Sequence, residues 1–351
     1  MNLSHRSTQL ILLLLTWLCL RLSAMGGPAL VYASTAKSTA LAEAKEAEPA
    51  EAGFVALPDD GPRFEGQSQG MDALALQEGI NAYEKEEWAQ ARRSFEKVIA
   101  QQPESSLTPT VLTFLAETAL RENDSNGNRL AAIDRYKTLL RDYPQSLNAK
   151  RAEWRMADVY LSQGWQQEAQ AMYERALSHN PQSPDGERAL LGIGYIALST
   201  KKWPEAEQTF EDLRKRSSND QIQLHATIGL ATALYRQHRI HEALALYDVG
   251  YRRWPRAIRM NPTALGRYAS IQLDLHHDVI GRGLLLQYYN LHPAHSDTPA
   301  ALLRLADSLK LSHKFAGAEF FYAFVAEQYP GSTTASLANV RAASLRAEQM
   351  M

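Results

Sequence analysis

Cysteine is almost missing: Cys19 is the only one in 351 residues. It lies inside an N-terminal apolar run, so the remainder of the chain has no disulfide, no thiolate nucleophile and no cysteine metal site, and it tolerates an oxidising compartment. A surplus of either charge is missing too. The formal net charge of -2 leaves no global basic field of the kind that holds nucleic acid through its phosphates, and nucleic acid is not expected as a partner. Membrane-length apolar runs are absent. The most apolar stretch, "LILLLLTWLCL" from Leu10 to Leu20, is too short for a helix to cross a hydrocarbon layer of ~30 Å. From Met71 onward there is no G-x-S-x-G, H-E-x-x-H or P-loop spelling, and neighbouring acids such as Glu86 and Glu87 have no apolar pocket to raise a pKa. The chain reads as non-enzymatic, with no cofactor and no metal expected.

What is present begins with residues 1–33. His5 and Arg6 precede the apolar run, Arg21 closes it, and the small-residue pattern "VYA" at Val31 to Ala33 offers a cleavage site before Ser34. This is the layout of a secretory signal peptide; an uncleaved anchor is the alternative, and would be the chain's only membrane contact. Leu18 and Trp17 stand where a lipoprotein signal needs small residues before its cysteine, so lipidation is not expected. Either way the chain is expected to be exported, to a periplasmic location. Residues 34–70 are rich in Ala, Glu, Pro and Gly, carry seven acids against three bases, and read as a disordered acidic linker.

From Met71 to Met351 one unit recurs. A small residue, an aromatic or large apolar residue four places on, and a proline twelve places on are found at Ala91, Phe95 and Pro103, at Ala132, Tyr136 and Pro144, and at Ala169, Tyr173 and Pro181. Ala206 and Phe210 follow (with Ser218), then Ala243, Tyr247 and Pro255, Gly281, Leu285 and Pro293, and Ala318, Tyr322 and Pro330. The anchors are spaced by 41, 37, 37, 37, 38 and 37 residues, a regularity that predicts stacked structural units. Each unit has two apolar-periodic segments of helical length. In the third, Gly164 separates the segments and Pro181 ends the second. The small anchor lets the two helices approach, and the aromatic one turn along the same face fills the groove opposite.

Met156, Ala157, Tyr160, Ala169, Tyr173, Ala176 and Pro181 make the third unit resemble the tetratricopeptide repeat. Phrases such as "DYPQSLNAKRAEWRMADVY" further resemble bacterial envelope repeats of the Tol-Pal accessory and outer-membrane assembly type. The resemblance implies an all-α right-handed superhelical solenoid of about seven helix hairpins and a last single helix, with the sixth unit irregular at Gly281 and Leu285.

Several motifs read differently inside that frame. "GIGYIA", from Gly192, has the G-x-G-x-x-A spacing of a dinucleotide turn, but it falls within a helical segment with no strand before it. In the repeat frame Ile193 and Gly194 stand at the Leu-Gly place of the fourth unit, where a side chain would block a neighbouring helix, so no nucleotide is expected. "DSNGN" from Asp124 begins like a calcium loop but puts Arg129 and Arg135 at the places that need glycine and glutamate, and reads as a polar turn. His238, His276 and His313 each stand five residues before an anchor, which places them at inter-helix turns too far apart to share one ion. "YRRWPRAIR" is the one basic cluster; Arg252, Arg253, Arg256 and Arg259 either cap helix carbonyls or make an anionic contact.

The resemblance also implies a concave binding face built from the first helix of each unit. It assigns to that face Tyr83, then Arg151, Trp154, Asp158 and Leu161, then Arg188, Leu191 and Tyr195, and then Tyr235. Rigid aromatics suit a bound chain; the other reading is that they pack on the next repeat or on the linker. The expected partner is a protein of the cell envelope, held as an extended or helical segment, with an exported polysaccharide or peptidoglycan glycan as the alternative.

Overall fold

Short polar caps mark where several of the repeats begin. The Ser146 hydroxyl accepts a hydrogen bond from the Ala149 amide, and Ser183, Asn219, Asn261 and Ser332 do the same for Gly186, Ile222, Ala264 and Ala335. These oxygens satisfy amides that a helix start leaves without an intrahelical partner. The Tyr-Pro-x-Ser phrases at Ser146 and Ser332 are therefore helix-start signals.

The computed structural model describes residues 61–64, 71–102, 105–123, 125–179 and 181–350. The expected signal segment, most of the expected linker and Asp124 lie outside them. Among the described residues there are sixteen helices and no strand. Seven hairpins form in order: α1 (Met71–Glu84) with α2 (Trp88–Gln101), α3 (Thr108–Glu122) with α4 (Asn126–Asp142), α5 (Leu147–Ser162) with α6 (Gln166–His179), and α7 (Pro184–Ser199) with α8 (Trp203–Arg216). There follow α9 (Asp220–Arg236) with α10 (Ile240–Arg253), the short α11 (Pro255–Met260), α12 (Pro262–Asp274) with α13 (Asp278–Leu291), α14 (Thr298–Leu311) with α15 (Phe315–Gln328), and the single α16 (Thr333–Met350). No helix among the described residues is long and apolar enough to cross a membrane.

Within hairpins the chain turns through one left-handed residue: Glu86, Gly164, Lys201, His238, His276 and His313 have φ between 58° and 75°. The next amide reaches back five residues, as from Trp165 to the Tyr160 carbonyl at 3.0 Å and from His277 to that of Gln272 at 2.8 Å, closing a Schellman-type C-cap. The three periodic histidines thus occupy a backbone position that favours glycine. Their recurrence belongs to turn geometry.

The anchors Ala91, Ala132, Ala169, Ala206, Ala243 and Ala318 are fully buried, and so are Phe95, Tyr136, Tyr173, Phe210 and Tyr322. The rings of Phe95, Tyr173 and Phe210 each lie where a first helix has a glycine. A Cβ on Gly192 would stand 2.2 Å from Tyr173, and one on Gly194 or Gly229 would stand 2.7 or 2.5 Å from Phe210. The glycines of "GIGYIA" are spaces for rings of α6 and α8, within a continuous helix. The sixth hairpin is regular, with Tyr288 buried beside Gly266. The irregularity falls just before it, in α11, which inserts Ile258 into the core.

Candidate inner face of the solenoid

First helices of neighbouring hairpins touch each other directly, as α3 does α5, α5 does α7, and α7 does α9. This puts them on the inner side of the stack. Contact that close also decides which assigned residues reach the surface. Trp154 is only 1% exposed; its Nε1 donates to Asp185 at 3.0 Å, and the guanidinium of Arg188 lies 4.1 Å from its ring, with those of Arg155 and Arg151 at 5.2 and 5.6 Å. Leu191 and Tyr195 are buried as well. Side chains at these places sit between successive helices, so Trp154 is a keystone of the stack and not an exposed anchor. Tyr83, Asp158, Leu161, Arg188 and Tyr235 remain partly exposed, and Arg151 is buried.

Polar groups on this face are engaged with one another. The Tyr195 hydroxyl and Nδ1 of His225 share a hydrogen bond at 3.1 Å; burial pushes the His225 pKa down to about 4, so the ring is neutral. Tyr235 donates to Asp274 at 3.2 Å, and Arg304 joins the same carboxylate. Asp158 accepts from the Tyr173 hydroxyl and pairs with Arg188 at 3.4 Å. Burial outweighs both partners and pushes the Asp158 pKa up to about 6.

That last arrangement recurs, and the sequence reading had missed it. Tyr136 donates to Glu117, which pairs with Arg155 of the next hairpin at 3.6 Å. Tyr322 donates to Asp307, which Arg341 of α16 also holds. Each acid lies fifteen residues before its tyrosine, or nineteen for Glu117, where the repeat is four residues longer. Where the anchor is phenylalanine the same place holds Ile80 or Tyr195, and before Tyr247 it holds Thr232, whose hydroxyl lies 3.4 Å from that of Tyr247. A buried phenol needs a hydrogen-bond partner and a phenylalanine does not. Tyrosine in place of phenylalanine was the available signal. These acids are satisfied from two sides and lock the register between repeats; none is placed as a general base.

The inner face also holds a piece of its own chain. Residues 61–64 lie across α3 and α5. The Arg63 amide donates to Oδ1 of Asn148 at 3.0 Å, and Nδ2 of Asn148 donates back to the Arg63 carbonyl at 2.7 Å. The Thr110 hydroxyl donates to that carbonyl at 3.0 Å. Arg151 and Arg155 both donate to the Gly61 carbonyl, at 3.0 and 2.8 Å. The Phe64 ring stands 5.9 Å from that of Phe114, and Phe114 in turn packs on Tyr83 and Phe95.

The basic cluster is divided between the end of α10 and α11. Arg253 and Nε1 of Trp254 hold Asp220 of the preceding helix at 2.8 and 2.7 Å. Arg252 and Arg259 donate to helix carbonyls four residues back, of Asp248 and Pro255, and Arg256 is exposed. Asn126 to Asn128 form the first turn of α4, with Ser125 as its cap.

The tetratricopeptide repeat profile matches residues 76–146 and 155–221. No curated protein matches the chain. Among solved structures, a tetratricopeptide repeat protein from Parabacteroides merdae aligns over 76% of this chain and 96% of its own, with a TM-score of 0.53 at 14% identity. PilW, a type IV pilus biogenesis factor, aligns over 65% and 97% with a TM-score of 0.54 at 16% identity. The C-terminal part of a repeat protein from Cytophaga hutchinsonii aligns over 75% and 98%, with a TM-score of 0.50 at 12% identity. At such identities the likeness is one of fold.

Proposed function

We propose, from the premise that the chain is built of tetratricopeptide repeats, that it is a non-enzymatic scaffold that binds a protein segment along its inner face. The reading extends to an exported, periplasmic protein supporting a cell-envelope complex, on the strength of the signal-like residues 1–33 and the envelope-type repeat phrases. One observation carries the binding role: the face made by α3 and α5 already receives an extended stretch of polypeptide through its main chain. Surface complementarity on a solenoid whose repeats touch only their neighbours is the mechanism. The proposed contacts are the partly exposed Tyr83, Asp158, Leu161, Arg188 and Tyr235; Trp154, Leu191 and Tyr195 hold the helices that present them.

Photo-crosslinking tests this. A photoreactive phenylalanine derivative replaces Tyr83 or Tyr235 in the full chain in its native cells, and captured species are identified by mass spectrometry. A recurrent protein adduct is expected. Adducts only within the chain itself, or only to glycan, overturn the scaffold reading, the second outcome in favour of a polymer-binding module.

A further inference from the structure

The stretch Gly61-Pro62-Arg63-Phe64 is gripped through its main chain. Both the N–H and the C=O of Arg63 are read by one side-chain amide, that of Asn148, which is fully buried. Thr110, also fully buried, adds a second donor to the same carbonyl. Two guanidinium groups converge on the Gly61 carbonyl. The Arg63 and Phe64 side chains are exposed, Phe64 by 64%. The contact of Phe64 with Phe114 gives the site a preference for an aromatic side chain at that place. A surface that binds an N–H and a C=O of one residue, with a carbonyl two places before it and an aromatic one place after it, is complementary to an extended peptide that carries an aromatic residue at that place. Buried donors and acceptors fixed by helices α3 and α5 are preorganised for it, which lowers the ordering cost of binding.

We propose that Asn148, Thr110, Arg151, Arg155 and Phe114 form a main-chain-reading peptide site, and that Gly61–Phe64 is its tethered occupant, closing the site until an extended partner segment with an aromatic residue displaces it. This rests on the scaffold reading and specifies which part of the inner face does the binding. The tether sets the strength of closure. The six residues between Phe64 and Met71 keep the occupant close, and a short connection of this kind gives an effective concentration of about millimolar. A free peptide of micromolar affinity must then compete against a large local excess and binds the wild-type chain at least tenfold more weakly than a chain whose occupant is disabled.

The probe is a fluorescein-labelled synthetic peptide, DDGPRFEG, copying residues 59–66. Its anisotropy is titrated with the full chain and with the full-length variant R63P/F64A, which loses the amide donor and the aromatic ring. The expected result is binding to R63P/F64A at least tenfold tighter than to the wild type. Asn148→Ala, added to that variant, is expected to abolish it. Thr110→Val, which keeps the side-chain shape, is expected to weaken it several-fold and guards against a folding defect in the alanine variant. In the wild type the Arg63 amide is expected to be protected from hydrogen exchange and to lose protection when excess unlabelled peptide is added. Equal affinity for the two chains, no binding to either, insensitivity to both substitutions, or an unprotected Arg63 amide each overturn the proposal. So does dimerisation of the wild type that R63P/F64A abolishes, which would assign the occupant to a second copy. A protein crosslinked at Tyr83 or Tyr235 together with any of these results would leave the scaffold standing and remove the tethered occupant.

Discussion

Gly192→Ala should destabilise the junction between the third and fourth hairpins by about 1.5–6 kcal/mol. The added Cβ would lie 2.2 Å from Cζ of Tyr173 and 2.5 and 2.6 Å from its two Cε atoms, where carbon atoms at rest stand ~3.5–4.0 Å apart. The ring has nowhere to go: Tyr173 is fully buried, and its hydroxyl is tied to Asp158. Overpacking of a filled core costs about 1–3 kcal/mol, and loss of a hydrogen bond to a charged group about 1.5–3 kcal/mol. Against this, alanine improves helix propensity over glycine by up to about 1 kcal/mol. Gly283→Ala supplies the control, because nothing lies within 4 Å of a Cβ there, and it should stabilise by up to about 1 kcal/mol. Urea unfolding followed by far-ultraviolet circular dichroism reads both variants. Since a solenoid loses cooperativity when one interface is weakened, hydrogen exchange over α6 and α7 should show that these helices open first in Gly192→Ala. A Gly192→Ala chain as stable as its parent would refute the close-approach account of this motif.

Two further sets of variants test the polar and turn geometry. His225 is held neutral, with a folded pKa near 4 against an ordinary value of about 6.5; the stability it protects is present above pH ~6.5 and lost as pH falls toward 4, by about 3 kcal/mol. His225→Gln should lose that acid sensitivity while keeping a neutral hydrogen-bonding group for Tyr195. Asp158 acts with the opposite sign: its folded pKa is raised to about 6, so its contribution is greatest in acid and is lost as pH rises from ~4 through 6, and Asp158→Asn should remove that fall. Chemical unfolding from pH 4 to 7 checks both, and parallel slopes for the two variants would contradict the assignment. Lys201→Gly and His276→Gly should each raise stability by about 0.5–1 kcal/mol, because a side chain in the left-handed region is strained there; a loss in the same unfolding assay would count against the turn geometry.

The repeat period was legible because it is a packing constraint written at every turn of the solenoid. Ala169 and Tyr173 recur in kind at 37-residue intervals because each unit must offer the next the same groove. Gly164 was legible as a break between helices and His276 as a turn residue, whereas the positive φ of Lys201 and His276 was not, since neither residue type signals it. The fate of Trp154 was not legible either. Helical spacing assigns it to the inner stripe but does not say how near the next helix comes. At the distance found, Arg188 covers its ring.

By itself, then, the sequence determined the class of architecture, the number of hairpins and the small-to-large contact that joins the two helices of each. These follow from local periodicity, which any stretch of about 37 residues contains in full. Tertiary structure alone decided which inner-face side chains are buried, which acids the buried tyrosines hold, and that Gly61–Phe64 lies on Asn148. Each of those joins groups 15 to 94 residues apart, and depends on the distance between helices, a quantity that appears only when the repeats are stacked.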